Sequence, residues 1–181
     1  ISVGDGCTIA GLWKGLKDLY AIGFIDRLPR LISAQAEGCC PINRAIAENK
    51  PWEPMEENTL ADSIAVGVPR NADKALMAIR ESNGIIVNVS DAEIMAAQKL
   101  LGRTCGVFGE PAGVTGTAGV KKLCEQGVLP KDATVVSVVT GNGLKDVANA
   151  IKACGEPISI PSDMDLLLRA FDEHGINADV K

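Results

Sequence analysis

The sequence predicts an α/β fold, a three-layer αβα arrangement around a mainly parallel sheet. Apolar runs of roughly five to seven residues alternate with amphipathic stretches of roughly ten to fifteen, the pattern of βαβ units with crossovers on both faces. Only six aromatic residues occur among 181, so a core must rest on Val, Ile, Leu and Ala, as it does in buried parallel sheets. Apolar residues make up 46% and charged residues 23%, a globular balance rather than a disordered one.

The elements follow in order. Ile1-Ser2-Val3 reads as the end of a strand. A strand that begins at its own last residues needs pairing partners, so the polypeptide is expected to be a piece of a longer protein; ordinary processing of a short leader is the other reading. No basic segment followed by an apolar run precedes Ile1, and no secretory signal is read. Residues 9–23 place Ile9, Leu12, Trp13, Leu16, Leu19 and Tyr20 at helical spacing, with Gly23 as the stop. Residues 31–36 read as a strand. Pro41 opens a helix to about residue 49, and residues 50–58, with Pro51 and Pro54, read as a loop. Residues 72–82 form an amphipathic helix ended by Asn83-Gly84, and residues 85–89 a strand. Ser90-Asp91-Ala92-Glu93 is a capping box opening a helix to about residue 101. Residues 111–125 form another helix. Residues 134–140 read as a continuous apolar strand, the most core-like of the chain. Residues 144–153 and 163–174 read as helices, Gly175 stopping the last. Residues 1–155 are read as part of one large α/β domain, and residues 156–181, with Pro157 and Pro161, as a helical extension.

Composition narrows the partners. Lys+Arg minus Asp+Glu is 18 − 23 = −5 and the sequence pI is near 4.9, so a basic nucleic-acid surface is not expected. No apolar run approaches the roughly 18 residues of a membrane span. Six cysteines occur without a C-x-x-C spacing, and His174 is the one histidine, so no metal site is expected. Free thiols fit a reducing, cytoplasmic setting, with Cys39 and Cys40 as small core fillers.

Ligands in open α/β sheets bind at the C-terminal ends of strands, and two glycine-rich turns fall there. Gly4-Asp5-Gly6-Cys7-Thr8 opens the first helix. Its amides and the helix N-terminus suit a phosphate, and Thr8 adds a hydroxyl. No lysine follows as in a Walker loop, and Ile9 stands where a dinucleotide fingerprint needs Gly or Ala. The Asp5 carboxylate would repel a phosphate unless it turns away onto local amides. A plain strand-to-helix turn is the other reading. In Thr140-Gly141-Asn142-Gly143-Leu144-Lys145-Asp146, Thr140 ends the apolar strand, which would point its hydroxyl into the same crevice; a turn residue capping the next helix is the other reading. In Gly109-Glu110-Pro111-Ala112-Gly113, Pro111 suits a first helical turn and Glu110 its positive end. Gly113, Gly116 and Gly119 recur every three residues, for close approach to a sheet or to a flat ligand.

These strings, together with Ala36-Glu37-Gly38 and Asp62-Ser63-Ile64, resemble in order the C-terminal half of the threonine synthase family. That family belongs to the tryptophan-synthase-β-like group of pyridoxal-phosphate enzymes, fold type II. The resemblance covers about residues 1–150, and Thr-Gly-x-Gly-Leu-Lys-Asp is its most specific part. It implies that Gly4, Asp5, Gly6, Cys7 and Thr8 hold the phosphate of pyridoxal 5'-phosphate. Asp5 departs from the Asn common there. It implies that the Thr140 hydroxyl meets the pyridine nitrogen, where a neutral partner does not enforce a protonated ring.

The implied reaction converts O-phospho-L-homoserine and water to L-threonine and phosphate, as a carbon–oxygen lyase of threonine biosynthesis. The family's Schiff-base lysine lies in a Ser-Phe-Lys-Asp-like segment with no counterpart here, and neither Lys14 nor Lys145 matches it. No catalytic residue is therefore assigned. The chain is expected to be inactive alone, to need the missing N-terminal half, and to belong to a homodimer. Other readings at this level are a threonine dehydratase or cysteine synthase of the same group, a non-catalytic α/β module binding phosphate or nucleotide, and a purely structural fragment.

Overall fold

A computed structural model describes residues 1–155 and 157–176; residues 156 and 177–181 of the expected extension lie outside the described residues. Strand β1 (Ile32–Ala36) pairs in parallel with β2 (Ile85–Val89), Ile32 opposite Ile85 through Ala36 opposite Val89. Residues 1–3 pair with the other edge of β1. Ser2 bridges Ala34 in parallel, Val3 N donates to Ala34 O (2.9 Å) and Ala34 N to Ile1 O (3.0 Å). Parallel pairing brings the chain out at Gly4, Glu37 and Ser90 along one edge of the sheet.

Side chains alternate across this sheet with period two. Ile32, Ala34, Ala36, Val87 and Val89 face one way, into a core completed by Ile94 and Ala97 of α4 (Asp91–Cys105) and Ala112, Val114, Ala118 and Leu123 of α5 (Pro111–Glu125). The opposite face carries α1 (Cys7–Ala21), α2 (Pro41–Glu48) and α3 (Ala72–Glu81), packed through Val3, Ile9, Trp13, Ile42 and Ile79. The three layers match the expected fold class.

Local chemistry explains most boundaries. At the end of α1, Phe24 N reaches Leu19 O and Gly23 N reaches Tyr20 O, a Schellman motif with Gly23 at φ 73°. The last turn of that helix is not core: Tyr20 is 50% exposed, because the stripe outruns the sheet. Trp13 stays buried, and its indole Nε1 donates to Glu81 Oε2 (2.6 Å), which also accepts from Lys17 Nζ (2.8 Å). Asn49, left-handed at φ 52°, ends α2.

The capping box at α4 forms in full. Glu93 Oε2 accepts from Ser90 N (2.7 Å) and from Lys122 Nζ (3.0 Å), and Lys122 also reaches Asn88 O (2.9 Å) and Glu37 Oε1 (3.2 Å). Desolvation pushes the Glu93 carboxyl up. The Ser90 amide and hydroxyl and the Lys122 ammonium together outweigh it and hold the group below its ordinary value. Its stabilising contribution is therefore present above the unfolded value of about 4.3 and is lost as pH falls through the lower folded value. Glu93→Gln is expected to make the acid limb of a stability-versus-pH curve shallower, measured by urea unfolding at a series of pH values, with little change in the alkaline limb.

Two expectations are corrected. Residues 134–140 form no ladder and are not core: Val136 is 82% exposed, and Val135 and Val138 are also exposed. An apolar run becomes a buried strand only with chain beside it and covers on both faces. Here the flank of α5 meets alternate residues, through Thr117 Oγ1 to Ser137 Oγ (2.8 Å) and through Val139 against the core. The helix expected over residues 144–153 is divided into a 3-10 turn, Gly143–Asp146, and α6, Val147–Cys154. Asn142 Oδ1 accepts from Leu144 N (2.9 Å) and Asp146 Oδ1 from Asn149 N (3.1 Å), so each cap starts its own segment. Asp163 caps α7 (Met164–Glu173), in which no residue is buried. Among the described residues no helix is long and apolar enough to cross a membrane.

Candidate functional site

The first turn lies where residues 1–3 leave the sheet. Gly6 caps α1 at φ 83°, without a side-chain cap, and Ala10 N returns to Gly6 O (3.2 Å). The amides of Cys7, Thr8 and Ile9, ahead of that bond, have no partner within the helix. Both glycines are required by space. A Cβ on Gly4 would stand 2.8 Å from Ile64 Cα, and one on Gly6 2.7 Å from Ala75 Cβ. Cys7 and Thr8 are exposed.

Asp5 turns away from these amides. Its Oδ1 accepts from Arg70 N (3.0 Å), with Arg70 Nε 3.8 Å away, and its carbonyl accepts from Asn71 N (3.0 Å). The carboxylate that would repel an anion is instead part of the clamp that shapes the turn.

The second turn is bolted antiparallel to residues 108–110. Gly109 bridges Asn142, Glu110 N donates to Gly141 O (2.9 Å), and Gly143 N to Phe108 O (2.9 Å). The Glu110 carboxylate fills the space a Gly141 side chain would need, and the Phe108 ring that of Gly143. Thr140 itself is exposed.

Gly113 ties the second turn to the strand that leads into the first. Its carbonyl accepts from Ser2 Oγ (3.5 Å), and a Cβ on it would stand 2.9 Å from Gly141 N and 3.3 Å from Thr140 N. Ser2 Oγ in turn accepts from Gly116 N (2.9 Å). Of the three spaced glycines, Gly113 thus admits the second turn, Gly116 the strand at Ile1 and Ser2, and Gly119 the side chains of Val87 and Ala34. Packing accounts for all three.

Beside the second turn opens a cleft of about 340 Å³, lined by Asp62, Ser63, Glu110, Pro111, Ala112, Lys145 and Asp146. None of Gly4, Asp5, Gly6, Cys7, Thr8 and Thr140 lines it: Gly4 rests on Ile64, which ends the 3-10 turn Asp62–Ile64, and Gly141, next to Thr140, rests on Glu110. Glu110 is 6% exposed and pairs with Lys145 Nζ (3.2 Å). A buried carboxylate is tolerated only with such a partner.

In sequence order Glu110 is a helix-end charge, and Asp62-Ser63 carries no evident role. The periodic signal carried no trace of the cleft they share. Ser2, Arg70 and Asn71 were missed because their partners lie far along the chain. Glu37 is engaged by Lys122, and Lys14 pairs with Asp18 on an exposed face. Burial pushes the Cys39 and Cys40 thiols up, as befits core fillers. Among the described residues no three His, Cys, Asp or Glu side chains are grouped to hold a metal.

Comparison with known proteins adds three findings. The family model described as pyridoxal-phosphate dependent enzyme matches residues 1–141. The threonine synthase of Methanocaldococcus jannaschii is 43% identical over 177 residues, 96% of this chain and 43% of that protein. That of Methanosarcina acetivorans is 42% identical over 173 residues, 94% of this chain and 43% of that protein. The chain thus spans less than half the length of these relatives. Among solved structures, threonine deaminase isoform 2 from Solanum lycopersicum superposes with TM-score 0.64 at 21% identity, over 84% of this chain and 41% of that one. Threonine synthase from Escherichia coli gives TM-score 0.57 at 19% identity, over 79% of this chain and 32% of that one. At these identities the solved structures show the fold, fold type II.

Proposed function

The chain belongs to the pyridoxal-phosphate dependent enzyme family, and from that premise we propose that it is the C-terminal portion of a cytoplasmic threonine synthase, holding one side of the cofactor site. Residues 1–155 then complete the large α/β domain, with residues 156–181 as an extension, and the rest of the polypeptide and a second copy make the working homodimer. The observation that carries the reading is that Gly113 lies against Thr140 and Gly141 of one glycine turn and accepts a bond from Ser2, two residues before the other, whose helix amides are uncapped.

The residues present fit the cofactor. A phosphate needs donors without a competing carboxylate, and the turn supplies both conditions: Cys7, Thr8 and Ile9 lead α1 with free amides, while Asp5 is committed to Arg70. Gly4 and Gly6 leave no side chain in the cradle. Pyridoxal phosphate, when bound, supplies an electron sink for bond-breaking at an amino acid. Thr140 offers the ring nitrogen a neutral hydroxyl. Lys145 neutralises Glu110, so the one buried carboxylate of the cleft does not stand unpaired. The identity to two curated threonine synthases supports O-phospho-L-homoserine as substrate, with phosphate leaving and water entering. The anchoring lysine and the groups that bind the substrate phosphate are assigned to the rest of the polypeptide, so this chain alone is inactive.

Two measurements test this. The 181-residue chain, incubated with pyridoxal phosphate, reduced with borohydride and mapped, is expected to show no single stoichiometric adduct. One on Lys14 or Lys145 overturns the assignment of the lysine. The polypeptide of the complete reading frame is expected to release phosphate from O-phospho-L-homoserine and form threonine. Deamination of threonine without that release would make it a dehydratase. Stabilisation by nucleotide and none by pyridoxal phosphate would make it a binding module.

A further inference from the structure

One wholly buried polar side chain reaches the candidate phosphate turn from behind. Gln35 sits on β1 with no exposed surface, on the face that packs against α2. Its Nε2 donates to the carbonyl of Val3 (3.2 Å), the last residue before Gly4, and its Oε1 accepts from Asn43 N (2.8 Å). Asn43, 1% exposed, is tied in turn to both strands. Its Oδ1 accepts from Ser33 Oγ (2.7 Å), and its Nδ2 donates to Ser33 O (3.2 Å), Val87 O (3.1 Å) and Asn88 Oδ1 (2.8 Å). The Val3 carbonyl projects past the ladder bond its own amide makes to Ala34. A side-chain amide is thus what fixes the peptide plane between Val3 and Gly4.

A capping role at α2 alone would need only the acceptor of Gln35. The donor is spent on the strand that delivers the turn. We infer that Gln35 is a positioning residue for the anion-gripping turn: it sets the direction in which residues 4–8 leave the sheet, with Asn43 locking its orientation. This rests on the reading of that turn as the phosphate cradle, and it adds a residue whose sequence context, Ala34-Gln35-Ala36, gave no hint of a role.

The test compares Gln35→Met with Asn43→Ala in the 181-residue chain. The methionine keeps the length and removes both bonds of the side-chain amide, that to Val3 O and that from Asn43 N. The alanine removes four side-chain bonds but leaves the backbone amide that orients Gln35, so it costs more global stability. Amide hydrogen exchange is read at Ala10, Arg70 and Asn71, whose acceptors are Gly6 O, Asp5 Oδ1 and Asp5 O. Under conditions where local opening dominates, Gln35→Met is expected to speed these three amides about tenfold, the effect of losing the one of its two buried bonds that reaches the strand before the turn. Asn43→Ala should leave them near the native rate. In parallel, phosphorus NMR titration with inorganic phosphate and with pyridoxal phosphate is expected to show weaker binding by Gln35→Met than by Asn43→Ala. If the exchange rates instead follow global stability, Asn43→Ala being the faster, Gln35 is only structural and the inference fails. Ser33→Ala, which loses a single bond to Asn43, replaces Asn43→Ala if that variant does not fold. A native chain that binds neither phosphate species sinks the reading of the cradle, while the exchange order still decides whether Gln35 sets the turn.

Discussion

Gly38→Ala is expected to destabilise the chain by about 3 kcal/mol, the upper end of what overpacking costs. Asn58 N donates to Gly38 O (3.0 Å), and the Asn58 carbonyl oxygen occupies the place a Cβ on Gly38 would take. The obstacle is backbone, so no side-chain rotation relieves it. The same segment is held at its other end by Gly67, against which the Met55 carbonyl lies, with Met55 N on Gly67 O (3.1 Å) and Gly67 N on Glu57 Oε1 (2.8 Å). Lifting residues 50–60 would expose Ala61 and Ile64, both buried, and unseat the 3-10 turn under Gly4. Urea unfolding measures the loss, and limited proteolysis should cut between residues 50 and 60 in the variant first. A change within about 0.5 kcal/mol, the range of an ordinary surface substitution, would mean the loop is not seated as described.

Gly6→Ala is expected to weaken binding of pyridoxal phosphate or inorganic phosphate by about a hundredfold, two steps of roughly 1.4 kcal/mol each. Two effects add. A left-handed residue with a Cβ is disfavoured by roughly 1–2 kcal/mol, and the Gly6 φ is 83°. The new methyl would also stand 2.7 Å from Ala75 Cβ and 3.0 Å from Asn71 O. Both α3 contacts push the start of α1 outward, and its amides move with it. Gly11→Ala and Gly15→Ala are the internal controls. They lie on the same helix with nothing within 4 Å of the added carbon, and each should stabilise by up to about 1 kcal/mol and leave binding intact. Equal binding by Gly6→Ala and native chain, read by phosphorus NMR, would remove this turn from the site.

Much of this was legible from residues in sequence order. Capping residues, prolines and glycines act over one or two turns, so the helices at Pro41, Ser90 and Pro111 began where the sequence placed them. The parallel sense of the sheet followed from the alternation of strands and helices, whereas which strands pair did not. The run at residues 134–140 did not behave as predicted, because apolar composition reports a tendency to be covered and not the presence of a cover. Its alternation is a property of the flank of α5, which local reasoning does not contain. Asp5 had two possible fates, and the choice lay 65 residues away at Arg70. Glu110 looked like an ordinary charge at a helix start, and only the fold reveals that Gly141 lies against it and Lys145 beside it. The site was therefore readable as two turns and unreadable as a cleft.

The indole bonded to Glu81 makes the helix that begins at the first turn optically visible. The chain has two tryptophans. Trp52 is half-buried on the loop, whereas Trp13 is 3% exposed and faces a carboxylate with Lys17 near its ring. In a Trp52→Phe background, any ligand that draws on the leading amides of α1 and tilts its axis would change the emission of a single buried fluorophore less than two helical turns away. The molecule carries its own reporter dye at the place where one would otherwise have to be attached.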